Sequence, residues 1–115
     1  MLKKKLILKI KNKIRNLYSN LKFISQKFNR GFSENDMWSL DDTIARFILP
    51  RLKFFKEVKS GCPSDLTEEQ WNEILDEMIK YFEYVLTEDY YILLQDDPNR
   101  KGLELFCKYF EHLWY

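Results

Sequence analysis

Glu73 and Asp76 stand three residues apart in the string Glu-Ile-Leu-Asp. On a helix that spacing is one turn, so the two carboxylates can share a hard cation such as Mg2+. Asp41 is a second acid of interest. It precedes Ile44 by three residues and Ile48 by seven, which predicts an inward position at the start of a helix. A carboxylate placed there must find partners or shift its pKa. The free backbone N–H groups of the first helical turn are the expected partners, with Trp38 close by. Nucleophilic catalysis has little to work with. The chain has one histidine, His112, and no Gly-x-Ser-x-Gly string. Cys62 falls in a loop and Cys107 on an apolar helical face, where a free cysteine acts as a small core residue. No Cys-x-x-Cys pair and no glycine-rich phosphate loop occurs. The reading is therefore of no catalytic residue, no metal and no cofactor, with Trp38, Asp41, Trp71 and Trp114 in structural roles.

The elements that must position these residues read as helices. Aromatic residues make up 17% of the chain, but three Gly and three Pro are too few for the turns of a sandwich or barrel. Ile7, Ile10, Ile14, Leu17, Leu21, Ile24 and Phe28 follow alternating three- and four-residue steps, which predicts a first helix over residues 5–29 with one apolar seam. Gly31 is its expected stop. A second helix is expected to bury Ile44, Phe47, Ile48, Leu52, Phe55 and Val58, with Pro50 kinking it or dividing it near Leu49. Ser33 with Asp36, or Ser39 with Asp42, can cap its start. Thr67 opens a third helix whose first turn holds Glu68 and Glu69. Its inner face is Trp71, Ile74, Leu75, Met78, Phe82 and Val85, and its outer stripe is Glu69, Glu73, Asp76, Glu77 and Glu83. The pattern either continues through Tyr-Tyr-Ile-Leu-Leu or breaks at Thr87. Asp97 and Pro98 open a fourth helix with Leu103, Phe106, Cys107, Phe110 and Leu113 inward. The expected fold is all-α: one compact four-helix domain over residues 1–115, made of a long basic amphipathic helix (1–30) and a helical body (31–115), with a proline-kinked second helix.

Charge is segregated along this framework. Residues 1–33 hold ten Lys or Arg and no acid, whereas the whole chain carries a net charge of only +1. Lys9, Lys11, Lys13, Arg15, Lys22 and Lys27 flank the seam of the first helix, with Phe23 on its outer side. Such asymmetry points to an acidic protein partner, a nucleic acid or a membrane surface. Tyr18 and Phe23 can stack on bases, but no helix-turn-helix, zinc finger or RNA-binding motif accompanies them. An isoleucine-rich seam without tryptophan fits protein packing, either within the fold or in a homodimer, better than a bilayer. The apolar run Leu6–Leu8 is broken by Lys9, Lys11 and Lys13, so neither a signal peptide nor a transmembrane segment is expected. Two cysteines without pairing signals fit a reducing, cytoplasmic setting.

Three strings carry a resemblance: GFSENDMWSLDDTIARFILPRLKFFKE, LTEEQWNEILDEMIKYFE and KGLELFCKYFEHLWY. They resemble a group of small helical proteins encoded by bacteriophages and prophages. The shared pattern is Gly31, Phe32, Ser33, Asp36, Trp38 and Asp41, then a Pro ahead of a Trp-x-x-Ile-Leu helix, then a Phe-rich end closing on Leu113-Trp114. It covers most of residues 30–115 and leaves the first helix largely outside. It implies action in the cytoplasm of a bacterial host. Small phage proteins without catalytic signatures often occlude a host protein. Together with the charge layout, this sets the expectation of a non-enzymatic inhibitor of a host protein, anti-defence in type. Its expected target is a nucleic-acid-binding complex, met by the basic helix and by the acidic stripe. Two alternatives stand beside it. One is a nucleic-acid binder using the basic helix. The other is a Mg-dependent all-α nucleotide hydrolase, because Glu73 and Asp76 are similar to half of the metal motif of the all-α nucleoside triphosphate pyrophosphohydrolases. Their other half, Glu-x-x-Glu, occurs nowhere in this chain.

Overall fold

A computed structural model describes residues 1–87, 89–90 and 97–115. Apart from Tyr90, the Tyr-Tyr-Ile-Leu-Leu segment lies outside the described residues. Every described element is helical: α1 (Leu2–Arg30), α2 (Asn35–Trp38), α3 (Leu40–Val58), α4 (Glu68–Val85) and α5 (Lys101–Tyr109), with 3-10 turns at Pro98–Arg100 and Phe110–His112. The expected all-α class holds, and no strand occurs among the described residues. The helices group into two compact units, residues 1–40 and 41–115.

In the first unit, α1 spans 29 residues and buries none of them. It ends where the sequence predicts. Gly31 takes φ 84°, the left-handed region that glycine enters without a Cβ penalty, and its N–H donates to the Lys27 carbonyl at 2.8 Å. The chain then turns back through Ser33, which is buried. The Ser33 N–H donates to Asp36 Oδ2 at 3.0 Å, the acid-to-backbone half of a capping box. The Glu34 N–H donates to Gln26 Oε1 at 2.8 Å, and its carboxylate pairs with Lys22 at 3.0 Å, tying the turn to α1. The hydrogen bond and charge of Lys22 hold the Glu34 carboxyl below its usual range, with Gln26 assisting.

The second unit has a core of Ala45 and Leu52 from α3, Trp71, Leu75, Met78, Tyr81, Phe82 and Val85 from α4, and Tyr109 from α5. The Trp71 and Tyr109 rings meet edge-on with centroids 5.7 Å apart, and Phe82 meets Tyr81 and Phe106 the same way at 5.2 Å. A complete capping box opens α4. The Gln70 N–H donates to Thr67 Oγ1 at 3.1 Å, and the Thr67 N–H donates to Gln70 Oε1 at 2.9 Å.

Four expectations meet the structure here. First, of the two outcomes expected at Pro50, division does not occur: α3 is one helix that runs through it. Proline removes one donor and crowds the preceding turn, and Arg51 Nη1 donates to the Phe47 carbonyl beside that gap at 2.8 Å. Second, α3 buries Ala45 and Leu52, with Ile48, Leu49 and Phe55 partly buried beside them, while Ile44, Phe47 and Val58 are exposed. The stripe is turned by one residue because the smallest apolar side chain, Ala45, takes the innermost place. Third, the last helix opens at Asp97 and Pro98 as expected, starting as a 3-10 turn capped by Asp97 Oδ1, which accepts from the Asn99 N–H at 2.9 Å. It buries Gly102 and Tyr109 and leaves Cys107 and Phe110 exposed. Fourth, of the three tryptophans only Trp71 is in the core; Trp38 is 83% exposed and Trp114 74% exposed.

Candidate functional site

The acidic stripe of α4 is divided by its neighbour. Lys53 and Lys56 on α3 and Lys59 just past its end recur every third residue and reach Glu83, Asp76 and Glu68 at 3.1, 2.6 and 2.6 Å. These are three rungs of a ladder between two helices of the second unit. The Lys59 rung differs from the others, since its side chain is only 5% exposed. The stripe residues Asp76 and Glu83 are thus matched. Glu69, Glu73 and Glu77 have no ion pair among the described residues. They follow one another at i, i+4 and i+8, a single row roughly 12 Å long. A groove of about 400 Å³ lies along it, lined by Glu73, Ile74, Asp76, Glu77, Lys101 and Leu105. Sequence reasoning missed the three lysines, although their regular spacing opposite an acidic helix was the available signal.

The same ladder bears on cation chemistry. The Asp76 carboxylate, half of the Glu73–Asp76 pair, is held by Lys56. No cluster of three potential metal-ligating groups occurs among the described residues. Asp41, expected to be inward, is exposed. Its Oδ1 accepts from the Asp42 N–H at 2.9 Å, and its carboxylate accepts from the Tyr90 hydroxyl, which also meets Tyr81. Burial first, and then these neighbours, push the Tyr90 phenol up to about 12. A cavity of about 350 Å³ brings Cys62 and His112 together with Trp71, Trp114 and Tyr115. The Cys62 thiol donates to the Leu66 carbonyl at 3.3 Å, and among the described residues no Asp or Glu side chain lines the cavity.

The basic helix divides as well. Lys22 is tied to Glu34. Phe23, expected to face outward, is half-buried and shares a groove with Asn20, Ile24, Lys27, Ser33 and Asp36. Lys9, Lys11 and Lys13 have no ion pair among the described residues, and Arg15 Nη2 donates to Asn12 Oδ1 at 2.7 Å on its own helix. No helix among the described residues is long and apolar enough to cross a membrane. No family model matches the chain, and neither a curated protein nor a solved structure matches it.

Proposed function

We propose that the chain is a non-enzymatic binding protein of phage or prophage origin that acts in the bacterial cytoplasm and inhibits a host protein by occluding it. The observation that supports this reading is the row Glu69, Glu73 and Glu77. Three like charges on one helical line repel one another, and Lys53, Lys56 and Lys59 serve the neighbouring acids instead. A row with no ion pair among the described residues suits a basic surface supplied from outside, such as the nucleic-acid channel of a host defence complex. Charge complementarity of this kind speeds association and fixes orientation.

The test is competition. The tagged chain is incubated with lysate, and the retained protein is assayed for binding to labelled DNA or RNA with increasing amounts of the chain. The expected result is a retained nucleic-acid-binding protein that loses its DNA or RNA as the chain is added. Replacing Glu69, Glu73 and Glu77 together by Lys should abolish both effects. Retention that survives this charge reversal, or that leaves nucleic-acid binding untouched, defeats the proposal.

A further inference from the structure

We propose that α1 is an interfacial helix that lies on an anionic lipid bilayer, its seam in the acyl boundary and its lysines among the headgroup phosphates. Two properties of the helix coincide. Its seam is uncovered: Ile7, Ile10, Ile14, Leu17, Leu21 and Ile24 are between 49% and 64% exposed, and Phe28 is 91% exposed. From Ile7 to Phe28 the seam runs roughly 32 Å at the helical rise. Its flanks are basic on both sides. At 3.6 residues per turn, Lys11 borders the seam on one side and Lys13 and Lys27 on the other, with Arg15 and Lys9 farther round on those two sides. Long basic side chains at those edges lay their methylene stems over apolar surface while the charge reaches outward.

The sequence alone favours protein packing for this seam; its exposure along the whole helix turns the choice to an anionic bilayer, which satisfies both properties at once, because apolar burial and attraction to acidic headgroups add in a helix of this type. Two competing occupants satisfy only one. A second α1 would cover the seam, but residues 1–33 contain no acid to face the flanking lysines, so a paired helix sets like charges against each other. A nucleic acid would engage the lysines through phosphates and leave the row of isoleucines and leucines in water. This inference is independent of the acidic row on α4, and reversing Glu69, Glu73 and Glu77 leaves it unchanged.

The experiment is flotation of the full-length chain with phosphatidylcholine vesicles, with and without phosphatidylserine, at low and high salt. Two variants accompany it: Ile14→Gln with Leu21→Gln, and Lys9, Lys11, Lys13 and Arg15 all replaced by Glu. All six positions are exposed, so circular dichroism is expected to show retained helix. The wild-type chain should float with phosphatidylserine vesicles, and each variant should lower its partition by at least about tenfold. Salt should weaken wild-type binding. Failure to float, equal binding to both vesicle types, or wild-type binding by the seam variant overturns the proposal. So does sedimentation of a dimer that the seam variant dissolves, or DNA binding that charge reversal abolishes while vesicles are ignored. The comparison of the two vesicle types by the wild-type chain decides the matter even if a variant misfolds.

Discussion

Gly102 of α5 packs against the Glu77 carbonyl of α4 so closely that no β-carbon fits between them. A Cβ built on Gly102 would also stand 2.5 Å from Tyr81 Cβ. The obstruction is backbone on one side and a buried side-chain root on the other, so neither can swing away. Gly102→Ala must therefore push α5 off α4 and loosen Tyr109 from Trp71. The expected cost is about 2–3 kcal/mol, at the upper end for overpacking. Urea unfolding measures it. A midpoint equal to that of the wild type would mean that the two helices separate freely. Gly61, whose added Cβ meets nothing within 4 Å, supplies the control, and Gly61→Ala should be nearly neutral.

The three tryptophans test what periodicity can decide. Trp71 is 1% exposed and Trp38 83% exposed. Trp71→Ala should cost about 3–5 kcal/mol as a large buried side chain lost, and Trp38→Ala under about 0.5 kcal/mol as a surface change. Thermal melts of the two variants should differ accordingly. Similar losses in both would place Trp38 in a buried setting.

Those outcomes track what was legible in the sequence. The long seam of α1, its glycine stop, the Thr67 cap and the inner face of α4 were all readable, because cap chemistry and helical period are local. Residues whose place depends on a neighbouring helix were not. Ala45 is the innermost residue of α3 yet the least conspicuous apolar type. Gly102 looks like a weak helix former until α4 is beside it. The acidic stripe of α4 was visible, but its division into matched and unmatched acids came from Lys53, Lys56 and Lys59 on another element. Spacing within a helix also could not assign Cys107 to the outer face of α5, or Phe110 of the following 3-10 turn to solvent, since Tyr109 takes the inward place.

Lys59 carries the rung of the ladder that matters for stability. Its side chain is 5% exposed, and its ammonium has Glu68 at 2.6 Å. Lys53 and Glu83 are both about half exposed. Glu68→Gln removes the charge that faces a covered ammonium and should cost about 1–2 kcal/mol, discounted because Glu68 itself reaches solvent. Glu83→Gln removes a solvated pair and should cost under about 1 kcal/mol. Denaturant midpoints for the two variants, with and without added salt, give the comparison. A larger effect from Glu83→Gln would invert this ranking.

Asn72 of α4 carries a side-chain oxygen, Oδ1, that is buried without a hydrogen-bond partner among the described residues. It lines a groove with Lys53, Lys56, Lys59 and Asp76. An acceptor kept from water and left unpaired costs free energy that an apolar side chain does not. Asn72→Ala should therefore be neutral or stabilise by up to about 1 kcal/mol, where most core-facing truncations destabilise. A clear fall in melting temperature would reveal a partner for the amide.

Tyr90 links the unit's alkaline stability to Asp41. Its phenol titrates near 10 when unfolded and is raised to about 12 when folded, chiefly by burial and then by Tyr81 and Asp41. A raised pKa means that the folded state holds the proton more tightly. The contribution is then complete below pH 10 and is lost as pH climbs from about 10 to 12, where the unfolded chain ionises first. Other tyrosines and lysines titrate in the same range, so the diagnostic quantity is the difference from Tyr90→Phe, which has no proton to lose. The wild type should lose stability more steeply than Tyr90→Phe across that interval. Asp41→Asn, which removes the nearby negative charge, should flatten the wild-type slope in part. Parallel pH profiles for wild type and Tyr90→Phe would show that the Tyr90 hydroxyl is freely solvated and bonded to neither neighbour.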